Sequence, residues 1–166
     1  FRRVLFRSAW SKTLRQLRDA SSAFWVDISG DALAAAAKVR GVNLKVNAAE
    51  AGAVTGRTVD DPSSAIAAAR DLRRAGAGSV IITLGAQGSV LVDASVESHY
   101  GALPVRAANA VGSGDSFLAG LVVALSRGQS LATAMSWASA AGAANAACDG
   151  VALFKRQQFK NFLDAC

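Results

Sequence analysis

An α/β fold with a largely parallel sheet is the class this chain predicts, and three observations carry it. Short continuous apolar runs alternate with longer alanine-rich stretches, the rhythm of strands and helices in βαβ units. The apolar runs lack the in-out alternation of a half-wetted strand, so they read as strands buried on both faces. Glycine, serine and Asp-Pro punctuation falls between the runs and not within them. Apolar residues make up 52% of the 166, enough for a sizeable core, and no run is long enough to span a bilayer.

The elements follow in order. Residues 10–20 form an amphipathic helix with Leu14 and Leu17 on one face. Ala23 to Ile28 is a short apolar run and reads as the first strand. Ser29-Gly30 turns the chain, and Asp31 opens an alanine-rich helix to Arg40. Val42 to Val46 is the second strand, and a helix from Ala48 ends before Gly56. Asp61-Pro62 starts the next helix, with Asp as the cap and Pro at the first helical position. That helix runs to Gly76. Ser79 to Leu84 is the third strand, and Gly85 to Gly88 turns it into an antiparallel partner, Ser89 to Asp93. Residues 94–109 read as irregular. Three helices follow, over 113–127, 130–147 and 155–164. Right-handed crossovers place ligands at the carboxyl ends of such strands. Each candidate motif lies there or at a helix start. No repeat, low-complexity stretch or interdomain linker is visible.

The formal net charge of +6 raises the question of nucleic acid, and its distribution answers it. Six basic residues and no acidic one fall in the first eighteen positions; beyond them 12 basic residues balance 12 acidic ones. A basic tail on a neutral body is not a basic binding face, so neither a nucleic acid nor a membrane partner is expected. Cys148 and Cys166 have neither metal-ligand spacing nor a disulfide framework, which fits a cytoplasmic protein. His99, beside Tyr100, sits in a polar turn or edge strand and reads as structural. Residues 1–8 begin without Met, lack the features of a signal peptide and resemble adapter read-through in assembled DNA. They are set aside as a non-native tail, leaving residues 9–166 as the body.

Gly112-Ser113-Gly114-Asp115 is the most informative segment. Its glycines let the backbone approach a ligand closely, and the helix beginning there offers free N–H groups and a favourable dipole to an anion. A carboxylate in the same turn repels a phosphate unless it faces an acceptor hydroxyl, which is the arrangement of phosphoryl transfer. A plain helix cap by Ser113 or Asp115 explains the segment without a ligand. Asn47 and Glu50, three apart, share a helix face and could reach a hydrated Mg²⁺ together; the same pair is also a capping box. Thr83, Gly85 and Gly88 close the third strand with a turn that admits a nucleotide or simply makes a hairpin.

In this order and spacing, these segments resemble the C-terminal half of the ribokinase-like (PfkB) family of carbohydrate kinases. The matching stretches are Phe24 to Leu33, Lys45 to Glu50, Val80 to Gly88, Asn109 to Ser116, and Ala138 to Cys148 followed by Gly150. The resemblance implies a three-layer α/β/α fold, incomplete because the N-terminal half and the lid are missing. It implies a kinase that uses ATP and Mg²⁺, with a small sugar phosphate as substrate and a homodimer for the full-length protein. Asp115 would be the base on the sugar hydroxyl, and Gly112, Ser113 and Gly114 the anion hole. Asn47 and Glu50 would organise Mg²⁺ through water. Thr83, Gly85 and Gly88 would line the ATP site, with Asn145 near the adenine end.

Three departures stand out. Val46 replaces a usual proline, which loosens the turn presenting Asn47. Ala110 replaces a common threonine. Asn109 stands where the ribokinase branch has aspartate, and with Asp27-Ile28-Ser29-Gly30 it looks closer to the 1-phosphofructokinase and tagatose-6-phosphate kinase branch. Lys45 and Arg106 are candidates to anchor an acceptor phosphate. The chain alone is expected to be inactive. Two alternatives remain open: a non-catalytic nucleotide-binding or regulatory module, and a nucleoside or ribose kinase of the same fold.

Overall fold

A computed structural model describes the backbone of residues 2–20 and 24–166, and the side chains of residues 9–20 and 24–166. The chain divides into two compact units, Phe1–Tyr100 and Gly101–Cys166, where the sequence showed no linker. Among the described residues no helix is long and apolar enough to cross a membrane.

The first unit holds α1 (Arg2–Ala20), β1 (Trp25–Val26), α2 (Gly30–Ala36), β2 (Asn43–Asn47), α3 (Ala48–Thr55) and α4 (Pro62–Ala75). It continues with β3 (Val80–Thr83), a 3₁₀ turn at Gly85–Gln87, β4 (Ser89–Val92) and β5 (Glu97–Tyr100). The five strands form one sheet in sequence order. β1, β2 and β3 pair in parallel, and β4 is antiparallel to both β3 and β5. Four strands therefore share one direction and only β4 opposes them, the largely parallel sheet that the apolar runs predict.

Burial explains those runs. Leu44, Lys45 and Val46 are consecutive and all buried, as are Val80 to Ile82 and Val90 to Val92, so both sheet faces are covered. The helices covering them are alanine-rich because small side chains let backbone and sheet come close: Ala65, Ala68 and Ala69 of α4 are fully buried beside Leu72. Leu14 of α1 joins this core, but Leu17, expected on the same face, is 44% exposed. The backbone of residues 2–8 continues α1, so the segment read as a tail is helical; Phe1 and the side chains of residues 2–8 lie outside the described residues. The first strand is shorter than the apolar run, and its start at Ala23 likewise lies outside them.

β5 is the element absent from the sequence expectation, which left residues 94–109 irregular. Glu-Ser-His-Tyr carries no apolar run, yet the segment is an edge strand whose residues alternate in exposure. Its register against β4 is Ser89 with Tyr100 and Val92 with Glu97, and the Glu97 carboxylate pairs with Arg70 of α4. His99 Nε2 lies 2.7 Å from the Gln87 carbonyl, the structural role expected of it.

The start of α4 is a capping box. Asp61 Oδ1 accepts from Ser64 N at 2.7 Å, Ser64 Oγ accepts from Asp61 N at 3.1 Å, and Pro62 fills the first helical position. The Ser64 N–H bond holds the Asp61 carboxyl below the ordinary aspartate value of 3.8. A lowered folded pKa adds stability that is fully present above the unfolded value and is lost as pH falls through the lower folded one. Asp61→Ala is therefore expected to lower the urea midpoint at neutral pH, with the gap closing under acid conditions. Equal midpoints at neutral pH would remove the cap from the account.

The second unit holds α5 (Ser113–Ser126), α6 (Leu131–Ala146) and α7 (Arg156–Leu163). α5 and α6 form its core through Phe117, Leu121, Ala124, Met135 and Ala138. They approach closely where Gly120 faces the Trp137 carbonyl and Ala141. Trp137 of α6 meets Phe159 of α7 edge to face, ring centroids 5.4 Å apart. Val122 and Val123 remain about two-fifths exposed on α5, and an open groove of about 570 Å³ lies among the three helices.

Candidate active site

The glycine-aspartate turn opens α5, and its geometry separates the two readings left open by its sequence. Asn109 Oδ1 accepts from Val111 N at 2.9 Å, which turns the chain toward the helix. Gly112 is the N-cap residue with φ of 79°, and a Cβ there would run into the Val151 side chain; both facts require glycine. Ser113 N reaches the Ala110 carbonyl at 3.2 Å and Ser116 N the Gly112 carbonyl at 2.9 Å.

No side chain caps this helix. Neither Ser113 nor Asp115 takes the capping role that would have explained the motif without a ligand. Among the described residues, the N–H groups of Gly112, Gly114 and Asp115 have no protein acceptor. They leave a set of donors at the positive end of a 14-residue helix, the chemistry that receives an anion. Asp115 is exposed in the same first turn. Ala110, in the place of a threonine, contributes only its backbone, and Arg106 is exposed.

Asn145 lies near the end of α6 and is fully buried. Its Nδ2 donates to the Val111 carbonyl at 2.9 Å and to Ser113 Oγ at 3.0 Å, while its Oδ1 accepts from Ala152 N at 2.7 Å. The amide expected near the adenine end of a nucleotide is hydrogen-bonded within the protein, to the glycine-aspartate turn and to Ala152.

The remaining candidates belong to the first unit. Asn47 and Thr83 are register partners at the carboxyl ends of the parallel strands β2 and β3, and Gly85 and Gly88 follow directly in the 3₁₀ turn and its exit. The structure thus brings these four to one end of the sheet, with Glu50 in the first turn of α3. Asn47 and Glu50 form the capping box: Oδ1 accepts from Glu50 N and Oε2 from Asn47 N, both at 2.9 Å. That box closes the turn that Val46 was expected to loosen; Val46 itself is fully buried in β2, paired with Ile82.

Those same bonds decide how the pair fits a metal. Oδ1 and Oε2 each already accept a backbone N–H and the Asn47 amino group cannot ligate a cation, which leaves Glu50 Oε1 as the acceptor with no hydrogen bond among the described residues. Among the described residues no cluster of three or more His, Cys, Asp or Glu side chains could hold a metal ion. The residues present therefore fit a hydrated Mg²⁺ touched through its water, not one held directly.

Two features were missed from sequence. Lys45, a candidate phosphate anchor, is buried, with its ammonium 2.6 Å from Asp27 Oδ2, so it is not an open cation. Ser89, the register partner of Thr83, buries a hydroxyl that has no hydrogen-bond partner among the described residues. A serine opening an apolar strand carried no signal beyond that of a hairpin.

Residues 7–157 match the family described as pfkB family carbohydrate kinase. A 1-phosphofructokinase of Rhodobacter capsulatus is 42% identical over 109 residues, covering 64% of this chain and 34% of the relative. The 1-phosphofructokinase of Escherichia coli K12 is 31% identical over 150 residues, covering 90% of this chain and 48% of the relative. In structure, phosphofructokinase-2 from Escherichia coli in complex with potassium aligns with a TM-score of 0.78 at 29% identity, over 85% of this chain and 46% of that one. The chain spans a third to a half of the length of these relatives. With the match covering nearly the whole chain and the glycine-aspartate turn open at the head of α5, this protein belongs to the pfkB family of carbohydrate kinases.

Proposed function

We propose that this chain provides the phosphoryl-transfer half of an ATP-dependent kinase acting on a sugar phosphate. The observation that carries the reading is the head of α5, a helix without a side-chain cap whose free N–H groups adjoin an exposed aspartate. In this reading Asp115 accepts the proton of the acceptor hydroxyl as its oxygen attacks the γ-phosphorus of ATP and ADP departs. The N–H groups of Gly112, Gly114 and Asp115 take the charge that spreads over the phosphoryl oxygens. Thr83, Gly85 and Gly88 line the nucleotide's site, and Glu50 would hold a water of Mg²⁺, whose charge would offset that of the phosphates. A cytoplasmic location is proposed on the two free cysteines, Cys148 and Cys166. A homodimer is proposed for the full-length protein on family membership alone.

The acceptor follows from likeness to the 1-phosphofructokinases. We propose a phosphorylated ketohexose. With Lys45 buried against Asp27, its phosphate needs a cation other than that one.

The test is a chain of the relatives' length containing these residues, assayed with ATP against fructose 1-phosphate, fructose 6-phosphate, tagatose 6-phosphate, ribose and adenosine. The expected result is a higher kcat/KM for a ketohexose phosphate than for ribose or adenosine. Preference for either unphosphorylated acceptor would replace the substrate and leave the kinase standing. ATP binding without transfer to any of the five would favour a regulatory module.

A further inference from the structure

We propose that Asn145 is a positioning residue of the catalytic turn, a buried amide clamp that holds the anion-binding backbone in its working shape. The proposal rests on the kinase reading of that turn.

A buried primary amide has two N–H donors and an acceptor oxygen to satisfy. Asn145 uses both N–H donors and its oxygen between two segments that are distant in sequence. Both Nδ2 hydrogens go to the turn, at the Val111 carbonyl and Ser113 Oγ, on either side of Gly112. Oδ1 takes the N–H of Ala152 on the far side. The neighbouring Ala146 carbonyl adds to the same lacing, accepting from Ala108 N at 2.7 Å and Asn109 N at 3.2 Å. The end of α6 is therefore tied to the turn both before and across its glycine.

Two strained or crowded points lie beside the clamp. Ala152 has φ of 54°, a left-handed conformation at the only non-glycine residue to adopt it among the described ones. Val151, next to it, packs so tightly on Gly112 that no Cβ fits there. Without the bond from Ala152 N, the 151–152 segment would lose a restraint that presses it onto the turn. Without the Nδ2 bonds, the Val111 carbonyl and Ser113 Oγ would lose the side-chain donor that ties them to α6. Donors that receive a phosphoryl group are effective only if they are already oriented, so a clamp of this kind acts on turnover more than on nucleotide affinity.

Two variants separate the halves of the clamp. Asn145→Asp keeps the acceptor for Ala152 N and removes both donors; Asn145→Ala removes everything. Amide hydrogen exchange is measured on the 166-residue chain, with Met135→Ala as a buried comparator in the same helix. The expected result is exchange at least tenfold faster at Val111, Ser113 and Ser116 in both variants, relative to amides in the middle of α6. Ala152 is expected to lose protection in Asn145→Ala alone, and Met135→Ala is expected to show no bias toward the turn. In a chain of family length, both variants are expected to lose at least tenfold in kcat with the KM for ATP within threefold of wild type. Unchanged exchange at the turn in both variants overturns the clamp whatever the activity. A raised KM for ATP with kcat retained overturns it in favour of nucleotide contact. A turn loosened in both variants, with a wild-type chain of family length that transfers no phosphoryl group, overturns the kinase reading and the catalytic part of this proposal with it.

Discussion

Asp115→Asn is expected to reduce kcat by about 10²–10⁴-fold in a chain of family length while leaving ATP affinity close to that of the parent. The substitution preserves the size and shape of the side chain and removes its capacity to take a proton. Asp115 is exposed in the first turn of α5 and its side chain does not cap the helix, so its loss should not disturb α5. Gly112, Gly114 and Asp115 keep their free N–H groups in the variant, and phosphate binding by that backbone survives. The loss therefore belongs to the transition state and appears in kcat, with the KM for ATP nearly unchanged. Steady-state kinetics together with nucleotide titration check both halves. A kcat within threefold of the parent would return Asp115 to an ordinary surface residue of a helix start.

Gly120→Ala is expected to destabilise the second unit by about 2 kcal/mol, within the usual range for overpacking. Gly120 is buried on α5, and an added Cβ would lie 2.6 Å from the Trp137 carbonyl oxygen and 2.9 Å from Ala141 Cβ. Neither obstacle is the far end of a flexible side chain, so the helices must separate. Helix propensity alone points the other way, since alanine in a helix interior is favoured over glycine by about 1 kcal/mol. The sign of the measured change thus decides which effect wins. Separation would also move Trp137 away from Arg127 at the end of α5, whose guanidinium lies 5.1 Å over its ring, so near-ultraviolet dichroism should change with the thermal midpoint. A stabilised protein would show that α5 and α6 are not in close backbone contact at this point.

Much of this molecule is legible in its sequence, and the legible part has a common physical cause. β2, β3 and β4 were readable because strands buried on both faces must be continuously apolar, as Val80 to Ile82 and Val90 to Val92 are. The starts of α3 and α4 were readable because capping is local: Asn47 with Glu50 and Asp61 with Ser64 are each three residues apart. The glycine-aspartate turn carries its requirement for a positive φ in the residue type itself, and Gly112 meets it. Period, cap and turn are properties of a few neighbouring residues, and the sequence by itself determined them.

Only the tertiary structure decided the rest, because those features depend on partners far along the chain. β5 is polar and exists through its pairing with β4 and the ion pair from Glu97 to Arg70, 27 positions away. Lys45 reads as a free cation near a binding site until Asp27, 18 positions earlier, is found against it. Leu17 shares the helical period of Leu14, yet it stays 44% exposed where Leu14 is buried. Asn145 reads as one polar residue in an alanine-rich helix, and its bonds cross 34 and 32 positions to reach the turn. A buried polar group must find partners wherever the fold supplies them, and sequence spacing carries no record of which segment that will be.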